Sequence, residues 1–207
     1  MTKQIPGKLE VVCGSMFSGK TEELMYRLRR AEYAKKNVIT IKHKIDNRKS
    51  YSCIVSHDGG QREAYPISSC VEGLQALKGL INDQSIDVLG IDEIQFFPME
   101  TVTIIQRLVD DGIRVIVAGL DLDFRGEPFG IVPRLMALAD EVKKLRAVCL
   151  SCGEEANFTQ RLIDNEPARY HDETILVGGQ ECYEPRCRMC YEIDVKSYLI
   201  EPETCEV

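Results

Sequence analysis

Leu9-Glu10-Val11-Val12-Cys13-Gly14-Ser15-Met16-Phe17-Ser18-Gly19-Lys20-Thr21 settles the architecture of this chain. Residues 14–21 match G-x-x-x-x-G-K-[ST], a phosphate-binding loop. Its glycines let successive backbone N–H groups turn toward an anion, and the following helix presents its positive end to the same point. Lys20 can reach the β- and γ-phosphates of a bound nucleoside triphosphate, and the Thr21 hydroxyl can hold Mg²⁺. Such a motif requires a strand before it and a helix after it. Residues 9–13 are short, apolar and rich in β-branched side chains, as a buried strand requires. Beyond the loop, Leu24, Leu28 and Ala31 share one helix face, with Glu22, Glu23, Arg27 and Arg30 filling other positions.

Outward from the loop the same alternation repeats. Asn37 closes the first helix and Val38–Ile41 reads as a strand. A polar stretch over 42–61 reads as a loop with a short hairpin around Tyr51–Val55. A helix is expected over 70–81, where Val71, Leu74, Leu77 and Leu80 recur at helical spacing, and strand 86–91 follows. Helix 100–109, strand 113–118, a loop over 120–130, a short helix over 134–139 and a strand over 142–148 complete the unit. Strands alternating with helices predict parallel βαβ units in a three-layer α/β sandwich. Residues 149–207 are rich in Gly, Glu and Cys, which places a domain boundary near 148 and leaves 1–148 as the nucleotide-binding unit.

Asp92-Glu93 follows the apolar strand 86–91, where a fold of this kind sets acidic side chains beside bound phosphates. Asp92 is expected to hold Mg²⁺, and Glu93 to take the proton of a hydroxyl acceptor as its bond to phosphorus forms. Four of the nine cysteines form two pairs, Cys149-x-x-Cys152 and Cys187-x-x-Cys190, separated by the 34 residues 153–186. Two such pairs can place four thiolates tetrahedrally around Zn²⁺. With no open ligand position, that zinc is structural. The segment between them becomes a loop tied at its neck, able to fold over a small molecule. Cys13, Cys53, Cys70, Cys182 and Cys205 show no such spacing, and His57 and His171 have no partner at a meaningful spacing.

The net charge of −7 gives no global attraction to nucleic acid, and no apolar run approaches the roughly 18 residues of a membrane span. Met1–Gly7 has no apolar core, so a secretory signal is not expected and a cytoplasmic location is.

Gly14–Thr21, then Glu23-Leu24-Met25, Ile91-Asp92-Glu93-Ile94-Gln95-Phe96-Phe97, Gly119-Leu120-Asp121-Leu122-Asp123-Phe124, Pro128-Phe129-Gly130 and both cysteine pairs resemble the zinc-containing type II thymidine kinases. The resemblance runs from Gly14 to Cys190. It implies a P-loop, RecA-like core with a parallel central sheet, and a small C-terminal zinc-binding domain carrying a lasso loop. The implied reaction moves the γ-phosphate of ATP to the 5′-hydroxyl of thymidine. ATP and Mg²⁺ would be served by Gly14, Ser15, Met16, Phe17, Ser18, Gly19, Lys20 and Thr21 with Asp92, Glu93, Ile94 and Gln95. Glu93 would be the base, and Arg48 would neutralise charge in the transition state. Met16, Phe96, Leu120 and Phe124 would wall the nucleoside pocket, although Phe96, Phe97 and Phe124 equally suit a core. Thr159 would lie near the thymine methyl, the backbone around Leu176, Val177 and Gly178 would read the base edge, and Tyr183 would hold the sugar 3′-hydroxyl. The family also implies a homotetramer inhibited by thymidine triphosphate, while the charge and the lack of a long apolar run lead us to expect neither a nucleic-acid nor a membrane partner.

Two other readings compete. A zinc-lid nucleoside monophosphate kinase would place a shorter cysteine gap in mid-chain. A zinc-ribbon ATPase acting on nucleic acid would need a basic, aromatic-studded stripe. A GTPase is disfavoured because no Asn-Lys-x-Asp follows the loop.

Overall fold

The computed structural model describes residues 6–45, 52–55, 59–69, 73, 75, 79, 85–176, 178–179 and 181–193. A six-stranded sheet forms its centre. The strands are β1 (Lys8–Gly14), β2 (Val38–His43), β5 (Tyr65–Ile67), β6 (Val88–Asp92), β7 (Arg114–Gly119) and β8 (Glu141–Leu145), in the order β5-β2-β6-β7-β1-β8. Every neighbouring pair is parallel. Parallel strands need crossovers, and the helices α1 (Lys20–Tyr33), α2 (Glu100–Asp110) and α3 (Val132–Leu138) carry the chain from β1 to β2, from β6 to β7 and from β7 to β8.

Alternation along the strands divides the core into two layers. Leu9, Val11 and Cys13 of β1, with Val115 and Val117 of β7, face Val102, Ile105 and Leu108 of α2 and Val132 and Leu135 of α3. Val12, Ile116 and Ala118 face the other way, onto Leu24, Met25, Leu28 and Ala31 of α1. The three-layer arrangement expected from the strand–helix alternation is therefore present.

Several local expectations shift. Helix α1 ends at Tyr33, with Ala34 as its C-cap and Lys35 left-handed at φ 57°. Asn37 instead sets the register of the next strand: its N–H donates to Asp87 and its carbonyl accepts from Asp87 and Val88. The polar stretch holds a hairpin of β3 (Cys53–Val55) and β4 (Gln61–Glu63), and β5 then joins the sheet edge beside β2. Three residues carry too little periodicity for β5 to be read from sequence. The expected helix over 70–81 falls largely outside the described residues; Gly73, Gln75 and Gly79 are helical. The strand expected over 142–148 divides. β8 ends at Leu145, and β9 (Ala147–Val148) leaves the sheet to pair with β10 (Glu155–Ala156).

The segment between the cysteine pairs is more than a loop. It holds a three-stranded antiparallel sheet of β11 (Phe158–Ile163), β12 (Glu166–Pro167) and β13 (Tyr183–Arg186), in the order β12-β11-β13. Asp164 and Asn165, both at positive φ, make the two-residue turn from β11 into β12. Between β12 and β13 the described residues 168–176, 178–179 and 181–182 belong to no helix or named strand and make up a strap.

Candidate active site

The phosphate loop leaves the carboxyl end of β1 and enters α1. Gly14 sits at φ +142°, and a Cβ there would stand 2.3 Å from the Leu145 carbonyl oxygen. Gly19 is left-handed at φ 84° and caps α1 with no side chain of its own. Both positions therefore demand glycine. The Lys20 ammonium donates to the Ser15 carbonyl at 2.6 Å, so its charge sits over the loop's mouth. Ser18 closes the turn by donating to the same carbonyl at 2.8 Å.

Asp92, buried at the end of β6, accepts from the Thr21 hydroxyl at 3.1 Å. These two oxygen groups, one in the first turn of α1 and one at the end of β6, are the donor types Mg²⁺ takes. Glu93 follows in the left-handed region at φ 54°, its N–H held by Asp92 Oδ1 at 3.0 Å. This bend throws the Glu93 carboxylate into the cleft. Gln95 fixes it there: its Nε2 donates to Glu93 Oε2, while its Oε1 accepts from the Leu120 N–H at 3.1 Å. His43 packs edge-on against Phe97, 5.0 Å between ring centroids, and lies beside Phe96. Burial drives its pKa down, and the Glu93 charge only partly opposes that, which disfavours the protonated ring.

Beside the phosphate loop lies a cleft of about 870 Å³, open solvent included. Its lining joins Lys20, Thr21 and Glu93 to Thr159, Leu176, Gly178 and Tyr183, together with Met16, Phe96, Leu120 and Phe124. Phe97, by contrast, is core, packed into the α2–α3 layer. The Thr159 hydroxyl accepts from the Met16 N–H at 3.0 Å, so β11 grips the phosphate loop directly. Tyr183 donates to the Leu176 carbonyl at 2.8 Å and so holds the strap down. Ile94 and Gln95 are buried beneath the cleft in a 3₁₀ turn that runs to Phe96 and do not line it. Arg48 and Val177 lie outside the described residues.

Sequence reasoning missed Leu122, Asp123, Phe129, Thr174 and Ile175, all of which line the same cleft. Leu122 and Pro128 pair across a tight turn in which Asp123 Oδ1 accepts from the Arg125 and Glu127 N–H groups at 2.9 and 3.0 Å. Burial pushes the Asp123 carboxyl up, and those donors only partly restrain it. An aspartate placed to accept N–H groups two and four residues on is a legible turn signal, but one that reports nothing about the cleft.

The Sγ atoms of Cys149, Cys152, Cys187 and Cys190 all lie within 4.8 Å of one another, with Cys152 and Cys187 3.6 Å apart. Tetrahedral thiolates on zinc stand about 3.8 Å apart, so the quartet fits that ion. Each pair forms a knuckle. Gly153 donates to the Cys149 carbonyl at 2.9 Å, and Cys190 and Tyr191 donate to that of Cys187. Burial disfavours a thiolate at Cys149, but backbone donors from Cys187, Cys152 and Ser151 outweigh it and lower the pKa.

Among the described residues, no helix is long and apolar enough to cross a membrane. A family model for thymidine kinase matches residues 7–191. The thymidine kinase of Coprothermobacter proteolyticus (strain ATCC 35245 / DSM 5265 / OCM 4 / BT) is 54% identical over 197 residues, spanning 95% of this chain and 96% of that one. A solved structure described as a DNA replication initiation factor overlaps 67% of this chain and 40% of its own, at 18% identity and a TM-score of 0.40. That likeness is too slight to argue from.

Proposed function

This chain belongs to the thymidine kinase family, and from that premise we propose how its residues divide the work. The enzyme is an ATP-dependent kinase that phosphorylates thymidine. We assign residues 1–148 to the triphosphate-binding unit and 149–207 to the zinc-tied unit that covers the nucleoside.

The phosphate-loop amides of residues 14–21 and the Lys20 ammonium bind the ATP phosphates. Thr21 and Asp92 would hold Mg²⁺, which would supply neutralisation of the phosphate charge. Glu93 accepts the proton of the thymidine 5′-hydroxyl as that oxygen bonds to the γ-phosphorus and the bond from that phosphorus to the β–γ bridging oxygen breaks, releasing ADP, while Gln95 keeps the carboxylate aimed and, with Ile94, supports the ATP end. Arg48 neutralises developing charge on the transferred group. Met16, Phe96, Leu120 and Phe124 stack against the nucleoside, Thr159 meets the thymine methyl, the backbone of 176–178 reads the base edge, and Tyr183 meets the 3′-hydroxyl. Such main-chain reading discriminates well, because a wrong base would leave buried polar groups unpaired at about 1–3 kcal/mol each. The four cysteines hold a structural zinc that ties the strap's neck.

The observation that carries this reading is a single cleft whose lining joins Lys20, Thr21 and Glu93 to Thr159, Leu176 and Tyr183. The same continuity supports inhibition by thymidine triphosphate, a molecule with both a nucleoside for one end and phosphates for the other. We further infer a homotetramer in the cytoplasm, with neither nucleic acid nor membrane as partner. The exposed Tyr26 and Tyr33 on α1 are consistent with a subunit contact. The test offers the purified chain Mg²⁺-ATP with thymidine, thymidine monophosphate, AMP or single-stranded DNA. Phosphate transfer to thymidine alone is expected. AMP as sole acceptor, or DNA-stimulated hydrolysis without an acceptor, would refute the assignment.

A further inference from the structure

We propose that Arg125 and Arg161 form a two-armed clasp that positions strap residues 170–173, and through them Thr174, Ile175 and Leu176, over the nucleoside end of the cleft. The inference rests on the reading that this end of the cleft takes thymidine.

Arg125 donates from Nε to the Tyr170 carbonyl and from Nη2 to the Asp172 carbonyl, each at 2.7 Å. Arg161, on β11, donates from Nη1 to the Glu173 carbonyl. Three of four successive strap carbonyls are thus drawn to guanidinium groups. The strap can present them because it is turned on itself: Asp172 N–H donates to the Arg169 carbonyl, and Asp172 Oδ2 accepts from the Arg169 N–H. Immediately beyond the clasped carbonyls come Thr174, Ile175 and Leu176, which line the cleft.

Both guanidinium groups also stand over the Phe124 ring, 5.2 Å away for Arg125 and 5.1 Å for Arg161. Phe124 itself lines the cleft. The pocket wall and the strap are therefore held by the same two cations. A second tie reinforces the first. The Tyr170 hydroxyl donates to Glu127 at 2.6 Å, and its ring lies 5.2 Å from the Arg125 guanidinium. Asp123 accepts from the Arg125 backbone N–H and so fixes the arm's base.

The energetics point to positioning. Arg161 is buried, its Nε has no hydrogen-bond partner, and no carboxylate lies within salt-bridge distance of it among the described residues. A buried cation satisfied by a ring face and a carbonyl is costly to desolvate and is poorly explained as a stabilising device. Arginine nonetheless suits the task, because its planar fork serves two carbonyls and an aromatic face at once. Neither arginine lines the cleft, so the clasp acts on thymidine through the strap.

The test uses zinc-loaded full-length enzyme with Arg125→Gln, Arg161→Gln and the milder Arg125→Lys, comparing the KM for thymidine, the KM for ATP and amide hydrogen exchange across 170–176. Losing charge-assisted bonds of this kind should raise the thymidine KM by about ten- to a hundredfold in Arg125→Gln. The ATP KM should stay within about twofold, strap exchange should accelerate, and Arg125→Lys should fall between wild type and Gln. Faster exchange with an unchanged thymidine KM would overturn the nucleoside assignment of this end and the proposal with it. Unchanged exchange, or equal shifts in both KM values, would overturn the clasp itself.

Discussion

Replacing Glu93 by glutamine removes one proton acceptor while keeping nearly the same volume. In the native site Glu93 Oε2 accepts from Gln95 Nε2, and Gln95 Oε1 is committed to the Leu120 N–H. Glutamine at 93 can still offer its carbonyl oxygen to Gln95, so the network can persist with the new amide nitrogen turned into the cleft. The left-handed backbone at φ 54° suits glutamine no worse than glutamate. The Thr21–Asp92 contact and the Lys20–Ser15 contact lie outside this network, so ATP binding should be unaffected. What is lost, on the proposed assignment, is the group that takes the 5′-hydroxyl proton, and positioned general-base catalysis contributes about 10²–10⁴-fold. Turnover with saturating thymidine and ATP should therefore fall by about that factor. The dissociation constant for ATP, measured by calorimetry without thymidine, should change less than about threefold. If turnover stays within a factor of about three of wild type, Glu93 is not the base. If ATP affinity collapses in parallel, its role is in binding.

Cys187→Ser should release the metal, because a serine hydroxyl is a poor substitute for a thiolate in a four-sulfur site. Metal analysis should show well under one zinc per chain with a raised thymidine KM, and full zinc content would remove Cys187 from the site. Glu10 is 2% exposed and accepts from Arg27 at 2.6 Å and from Arg114 at 2.7 and 3.0 Å. Glu10→Ala strands Arg27 only in part, since Glu23 and Glu141 each remain at 2.8 Å, and Arg114 can reach water. The loss should be about 2–4 kcal/mol, at or below the usual range for breaking a buried pair, read by denaturant unfolding. Burial alone would raise the Glu10 pKa, but Arg114 and Arg27 outweigh it and hold it below the ordinary glutamate value. A depressed folded-state pKa contributes stability above the unfolded-state value and loses it as pH falls through the folded one. Wild type should thus lose stability below about pH 4.5 more steeply than Glu10→Gln, and parallel curves would refute that.

The parts of this molecule legible in its sequence are those where one local rule forces one geometry. Gly14 and Gly19 stand where a loop needs backbone no side chain tolerates, and the odd residues of β1 fall on one face because strands alternate. The cysteine quartet converges because each x-x spacing makes a knuckle, though the sequence could not say that a three-stranded sheet separates the pairs. What stayed hidden depends on contacts between segments distant in the chain. β5 is a strand only because β2 offers its edge, and the Thr159 hydroxyl meets the Met16 amide across 143 positions. Arg125 and Arg161 carry no motif at all, and their meaning appears only when the strap carbonyls are seen turned toward them. Binding chemistry that rests on main-chain groups of an irregular segment leaves no residue-type signature, because any side chain supplies the same carbonyl. In the proposed assignment, the thymidine end of this cleft is built largely that way, whereas the triphosphate end relies on Lys20, Thr21 and Asp92, whose identities announce their chemistry.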